Sequence, residues 1–234
     1  MRIYLIIISV FAPFISEAQD FLASDSITLL NGHTYYGSES KIEGNFLTTK
    51  MLDRDGEYTM YFEMGRVFSM HNDQGETVYY RQDELQGDYL TVQEAREATW
   101  GSRDARITSK PWGVTATSVV VGLGFSLWDT YLTQKSIDEL TVPGNPPPDL
   151  EGGFFGSRPS MMQLLVPTTF TLVWALPSFK VREHQIIQPN MKGNAFYYRG
   201  YNRIARQKRM FSALYGGFIG TGLGLASYMI FKKN

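Results

Sequence analysis

Three long stretches without a charged residue occupy the C-terminal half of this 234-residue chain. Residues 111–128 (PWGVTATSVVVGLGFSLW) are 18 uncharged residues, residues 159–179 (PSMMQLLVPTTFTLVWALPSF) are 21, and residues 210–231 (MFSALYGGFIGTGLGLASYMIF) are 22. A helix that crosses a bilayer needs about 20 predominantly apolar residues. Three such stretches in half a chain predict a membrane helical domain of two to three helices over 111–234. Trp112, Trp128, Tyr131 and Phe179 stand at or near the ends of the first two stretches, where interfacial aromatics belong. Lys232 and Lys233 follow the third, from where they can snorkel. The stretches are nonetheless marginal in hydropathy. Thr115, Thr117 and Ser118 dilute the first, Gln163, Thr168, Thr169, Pro167 and Pro177 the second, and five glycines the third. The competing expectation is a soluble bundle with small residues at its contacts.

Those glycines are patterned. Gly216, Gly220 and Gly224 recur every fourth residue and fall on nearly one helical face, where the missing Cβ atoms let a second helix approach. Gly122-Leu123-Gly124 in the first stretch echoes Gly222-Leu223-Gly224 in the third. The pattern predicts packing of Gly122 and Gly124 against Gly216, Gly220 and Gly224, or an origin by duplication. The links differ from each other. Residues 134–159 carry Pro143 and Pro146-Pro147-Pro148 and read as a poorly helical, Pro-rich loop. Residues 180–209 read as a basic loop with eight basic residues and one acid, Glu183. Arg199, Arg203, Arg206, Lys208 and Arg209 end it, interleaved with Tyr197, Tyr198 and Tyr201. Anionic lipid headgroups or an acidic partner, including the chain's own acidic half, are the expected targets. A solvated flank that sets helix depth is the bland alternative.

Residues 1–18 (MRIYLIIISVFAPFISEA) have one positive residue, an apolar run, and small Ser16 and Ala18 ahead of Gln19. That is the layout of a secretory signal peptide, with an uncleaved anchor as the alternative. The net charge of −1 then conceals a division. Residues 20–111 hold 16 acids and 9 bases (−7), residues 112–234 hold 6 and 12 (+6), and Arg2 and Glu17 cancel. Two halves of opposite sign imply two environments. If the signal is cleaved and every stretch spans, the N-terminal module and the 180–209 link lie on the same, exported side. A basic link there conflicts with the positive-inside tendency of inner-membrane proteins. A re-entrant first stretch, a different signal or topology assignment, or an outer-membrane location removes the conflict, and inner and outer membranes are nearly even expectations.

The acidic module, residues 19–90, is dense in strand signals. Asn31-Gly32 separates Ser26–Leu30 from His33–Gly37, a strong hairpin signal because turn residues of that kind accept positive φ. Further pairs flank Asp53-Arg54-Asp55-Gly56 and Asn72-Asp73-Gln74-Gly75, predicting an antiparallel barrel or sandwich of five or six strands. The expected class is therefore α+β. Thr91 three residues before Glu94 is a capping box that opens a polar linker helix over 91–110, with Val92, Ala95 and Thr99 on one side.

Candidate chemistry is sparse. The chain has no Cys and three His, which excludes thiol enzymes, disulfide scaffolds and Cys-ligated metals. Asp53-x-Asp55-Gly56-Glu57 has its glycine at position 4 rather than 6 of a calcium loop, so a hairpin turn accounts for it better than a metal site. No catalytic residue, metal or cofactor is expected. Asp129 with His184 is the one conceivable acid/base pair near helix ends.

The run Asp25-x-Ile27-x-Leu29-x-Asn31-Gly32 with Gly37, and a mature start at Gln19-Asp20, resembles β-rich modules in exported envelope proteins of Bacteroidota over about 60 residues. The resemblance implies a Gram-negative envelope with the β module in the periplasm, and carries no catalytic residue. The expected function is a non-enzymatic, membrane-anchored subunit or scaffold of an envelope complex. Its partners would be membrane lipid and an envelope protein or a second copy of itself; nucleic acid is not expected of an exported chain. A membrane-embedded enzyme, or a small oligomeric channel or transporter, is the alternative.

Overall fold

The computed structural model describes residues 25–53, 56–140, 162–175 and 181–232. The expected signal peptide and residues 141–159 of the Pro-rich segment lie outside them. The class is α+β: six antiparallel strands are followed by four helices among the described residues. The strands are β1 (Asp25–Leu29), β2 (Thr34–Glu43), β3 (Phe46–Asp53), β4 (Gly56–Glu63), β5 (Val67–Asn72) and β6 (Gly75–Val78).

They form one sheet in the order β4-β3-β2-β1-β5-β6, rather than the closed barrel or two-sheet sandwich expected. β1 to β4 form a meander of neighbours, and β5 returns to pair with β1 before the β5–β6 hairpin. The sheet curls because β2 is shared. Its first residues pair with β1 and its later ones with β3, with a register shift between Ser38 and Lys41 and a positive φ of 53° at Glu39. Such irregularities bend a strand and increase its twist. Leu47 of β3 and Phe62 of β4 thereby meet Ile27, Leu29, Val67 and Met70 in one buried cluster. β5 is buried on both faces, since Phe68 joins Tyr80 and Ala95 in a second cluster.

The Asn31-Gly32 hairpin forms where expected, with a different turn. Gly32 alone has positive φ (76°), while His33 N–H donates to the Asn31 side chain at 3.0 Å. At the other candidate turn, Asp53 pairs with Gly56 across the β3–β4 hairpin, and residues 54 and 55 lie outside the described residues.

Helix α1 (Val92–Thr108) opens with the expected capping box. Thr91 accepts from the Glu94 N–H, and the Glu94 carboxylate accepts from the Thr91 N–H at 2.8 Å. It is a pillar rather than a polar linker. Ala95 faces the sheet, while Gly101, Ser102, Asp104 and Ala105 are also buried. Of the three residues expected to share one side, Ala95 and Thr99 are buried and Val92 is exposed. Small and polar buried residues hide such a face from a hydrophobic period.

Helix α2 (Trp112–Leu140) runs past the first uncharged stretch into the segment read as a Pro-rich loop. Helix α3 (Met162–Ala175) contains Pro167. Helix α4 (Ala195–Lys232) absorbs the second half of the segment read as a basic loop. Its start is amphipathic: Tyr197, Tyr201, Ile204 and Ala205 are buried, and Arg199, Arg203 and Arg206 are exposed. The arginines favour helix intrinsically, and the tyrosines anchor one face.

The membrane expectation meets a correction here. Among the described residues, no helix is long and apolar enough to cross a membrane. α3 has 14 residues, about 21 Å at 1.5 Å per residue, and Gly, Ser and Thr dilute α2 and α4.

Gly32 docks against α1: a Cβ there would lie 2.6 Å from the Ser102 carbonyl carbon, whereas one at Gly44 (φ 61°) would meet nothing within 4 Å. Gly44→Ala therefore carries conformational strain alone, on the order of 1 kcal/mol. Gly32→Ala adds a backbone clash and should cost clearly more, which paired denaturant titrations measure; equal losses would contradict the docked turn.

Candidate functional site

Helix α4 passes first along α1 and then along α2 in the same direction. The contacts climb together: Gly101 against Tyr197, Lys208 against Ala105–Ser109, Gly216 against Thr115, Gly224 against Ser126. Glycine makes this course possible. A Cβ on Gly122 would sit 2.5 Å from the Gly217 carbonyl oxygen, and one on Gly216 2.6 Å from that of Thr115. Gly220 approaches the Val119 carbonyl oxygen more closely still, and a Cβ on Gly224 would lie 2.6 Å from Ser126 Cβ. Four of the five expected packing glycines, Gly122, Gly216, Gly220 and Gly224, therefore lie in the α2–α4 contact. Gly124 does not, because it points into open space, as does Gly222. The two halves of the sequence echo thus occupy different positions. Gly217 takes a further role, its Cα turned to Pro167 of α3.

The rest of the seam is small and polar. Ser118 and Ser126 are at most 1% exposed. Ser118 Oγ donates to the Val114 carbonyl at 2.7 Å and Thr221 Oγ1 to that of Gly217 at 2.9 Å. Such bonds satisfy the hydroxyls within their own helix, so they need no partner across the seam. Ser126 Oγ is buried and has no hydrogen-bond partner among the described residues.

The large apolar residues face the other way. Val120 is 70% exposed and Phe211 71%. Trp112, Trp128 and Tyr131 on α2, Leu172 and Val173 on α3, and Tyr215, Phe218 and Leu223 on α4 are exposed as well. Among the described residues, this three-helix unit buries chiefly glycine, serine and threonine, with Val114, Pro167 and Ala213, and turns most of its large aromatic and aliphatic side chains outward.

A second crossing, of α1 with α4, was not legible as a pair. Gly101 abuts the Tyr197 carbonyl and Gly200 abuts that of Ala98. Beside it lies a buried carboxylate. Asp104 Oδ2 accepts from Tyr197 Oη at 2.5 Å and from Ile187 N–H at 3.1 Å, and Ser102 Oγ donates to the Gly200 carbonyl at 3.2 Å. Thr108 Oγ1 lies 3.0 Å from Tyr201 Oη and 3.2 Å from the Gln185 carbonyl. These bonds tie residues 183–187 and the start of α4 to α1. Burial first, and then the Asp104 carboxylate, holds the Tyr197 phenol far above the ordinary tyrosine range.

The expected basic site divides in two. Arg199, Arg203 and Arg206 stand exposed on α4, while Lys208 and Arg209 are half-buried where the apolar unit begins. Lys208 Nζ donates to the carbonyls of Ala105 (3.3 Å), Arg106 and Ser109 (3.0 Å), capping the end of α1. Burial, then Arg106 and Lys110, pulls its pKa down.

Asp129 and His184 do not meet. Asp129 lies 17 residues beyond the start of α2, about 25 Å along it, whereas the His184 turn is bonded beside Thr108, before α2 begins. Among the described residues, no three His, Asp or Glu side chains gather as metal ligands. No protein-family model matches the chain, and comparisons with curated proteins and with solved structures find no match.

Gly220→Val should destabilise the α2–α4 contact by at least 1–3 kcal/mol, on the order of an overpacked core. Ser126→Ala should be neutral or stabilising, since it removes an unsatisfied buried hydroxyl. Detergent-compatible thermal unfolding distinguishes them. Tyr197→Phe should cost about 1–3 kcal/mol near neutral pH by removing a donor to Asp104. The unfolded chain can shed the Tyr197 proton near pH 10 and the folded chain cannot. Stability from this group is thus complete below that pH and is lost as the pH rises above it. The advantage of wild type over Tyr197→Phe should therefore shrink between about pH 9 and 11; a constant difference would contradict the buried phenol.

Proposed function

We propose that this chain is a non-enzymatic, membrane-associated scaffold subunit of a bacterial envelope complex. In this reading the α2–α3–α4 unit is immersed in an apolar layer and the β sheet with α1 forms a head outside it. The observation that carries the reading is the inverted packing of the helical unit. Helices associating in lipid meet through small residues and present large apolar ones outward, because lipid supplies no hydrophobic drive to bury them. An aqueous bundle buries such side chains, and contiguous exposed apolar surface marks an interaction site. A mean over a whole helix counts the glycines and hydroxyls of the seam together with the outer face. It therefore understates how apolar that outer face is.

The head supplies the partner surface. Tyr36, Ile42, Phe46, Leu52, Tyr58 and Tyr61 are exposed on β2, β3 and the edge strand β4. An open edge with apolar side chains is suited to strand addition by another protein. The signal-peptide layout of residues 1–18 supports export, and inner and outer membranes remain equal alternatives for where the chain resides. The separation of Asp129 from His184 removes the one constellation that favoured an enzyme.

Fractionation tests the membrane part. The chain should sediment with membranes and resist salt and alkaline washing, and Val120→Ser/Phe211→Ser/Phe218→Ser should shift it towards the soluble fraction. Release of the wild type by salt would overturn it. Purification in mild detergent at native abundance tests the scaffold part: a stoichiometric companion or a stable homo-oligomer is expected, and a lone monomer would contradict it.

A further inference from the structure

Where α1 gives way to α2, α4 passes beside the Ser109–Pro111 connection and leaves a cavity of about 470 Å³. Lys110 and Lys208 line it together with Trp112, Thr115, Phe211 and Ser212, and none of the described residues that line it is acidic. Its lining joins two lysines to two aromatic residues. Lys208 Nζ is committed to backbone carbonyls, and among the described residues no carboxylate bonds to it, while Lys110 is exposed. Trp112 and Phe211 belong to the exposed apolar face of the helical unit.

The level of the cavity matters as much as its lining. Charge stops at the same height on both helices. Beyond Lys110 the chain is uncharged until Asp129, and beyond Arg209 until Lys232. Lys110, Lys208 and Arg209 therefore form a cationic collar directly below the first exposed aromatics, the order of side chains found at a bilayer surface.

We propose that this cavity binds the phosphate headgroup of an anionic phospholipid, with the phosphate at Lys110 and Lys208 and the upper acyl chains along Trp112 and Phe211. A neutral headgroup leaves the two cations without a counter-ion. A free inorganic anion leaves the aromatic part of the lining without a partner. A lipid phosphate with its acyl chains matches both the lysines and the aromatic residues. Lys208 would then serve twice, capping α1 through its three carbonyl bonds and presenting charge at the collar. Ser212 adds a hydroxyl to the lining, while the Thr115 hydroxyl donates to the Pro111 carbonyl at 3.4 Å. The inference rests on the membrane-associated reading and adds to it a lipid class and a position.

The test uses the full-length chain reconstituted in vesicles of phosphatidylcholine alone and of phosphatidylcholine with phosphatidylglycerol, followed by mass spectrometry of the phospholipid retained after mild extraction. Wild type should retain phosphatidylglycerol in preference to phosphatidylcholine. Lys110→Gln and Lys208→Gln should each lose about five-fold of that preference, the effect of one surface-level cation. Lys208→Arg should restore it, and circular dichroism of every variant controls for folding. Because Lys208→Gln also removes a cap, Lys110→Gln, at an exposed position, carries the decision if that variant unfolds. Association with both vesicles and no preference, or a preference that both glutamine variants keep, overturns the lipid site and leaves the membrane reading standing. No association with either vesicle overturns both. Complete displacement of retained lipid by millimolar inorganic phosphate, with phosphate bound in its place, overturns lipid as the occupant.

Discussion

Backbone-to-backbone approach along α4 is the constraint on which the rest of the helical half depends. Gly101 and Gly200 let α4 cross α1, and Gly122, Gly216, Gly220 and Gly224 let it continue along α2. Each glycine within a helix costs roughly 0.5–1 kcal/mol relative to alanine. That cost is offset only where the missing Cβ converts to contact, as it does at these positions and does not at Gly124 or Gly222. The same approach aligns the head, since Asp104, Tyr197 and Ile187 bond only when α1 and α4 lie this close.

A seam built of glycine, serine and threonine has a consequence for the outer surface. The large apolar side chains of α2 and α4 have no room inside and stand outward, Val120, Trp128, Phe211 and Phe218 among them. Such a surface is stable against lipid or another protein and costly against water. The charge division of the sequence maps onto the same arrangement. The acidic residues concentrate in the head and the cations at the collar and on the first turns of α4, while the helical unit is uncharged over residues 112–128, 162–175 and 210–231 and carries Asp129, Lys135, Asp138 and Glu139 at the far end of α2.

Much of this was legible in the residues. The hairpin at Asn31-Gly32, the cap at Thr91 and Glu94, and the packing face of Gly216, Gly220 and Gly224 each follow from a local rule with a steric or hydrogen-bonding cause. What was not legible depended on a partner distant in sequence. Gly101 and Gly200 carry no signal singly, and become a crossing only once residues 195–209 are known to be helical. Tyr197, Tyr201, Ile204 and Ala205 do follow a helical period, but the arginines between them invited a reading as a basic loop. The curl of the sheet, in place of closure, turns on the Ser38–Lys41 irregularity, which no turn residue announces. Asp104 looks like any surface acid in sequence, and only the fold buries it under Tyr197.

The central claim is that the outer face of the helical unit lies in an apolar phase while the collar and head lie in water. The chain has no cysteine, so a single spin label can be placed at will. Labels introduced one at a time at Val120, Phe218 and Leu223, and at Arg203 and Arg206, report collisions with oxygen and with a water-soluble nickel chelate in native membranes. The account predicts oxygen-dominated collisions at the first three positions and chelate-dominated collisions at the two arginines. Chelate-dominated collisions at Val120, Phe218 and Leu223 would contradict it.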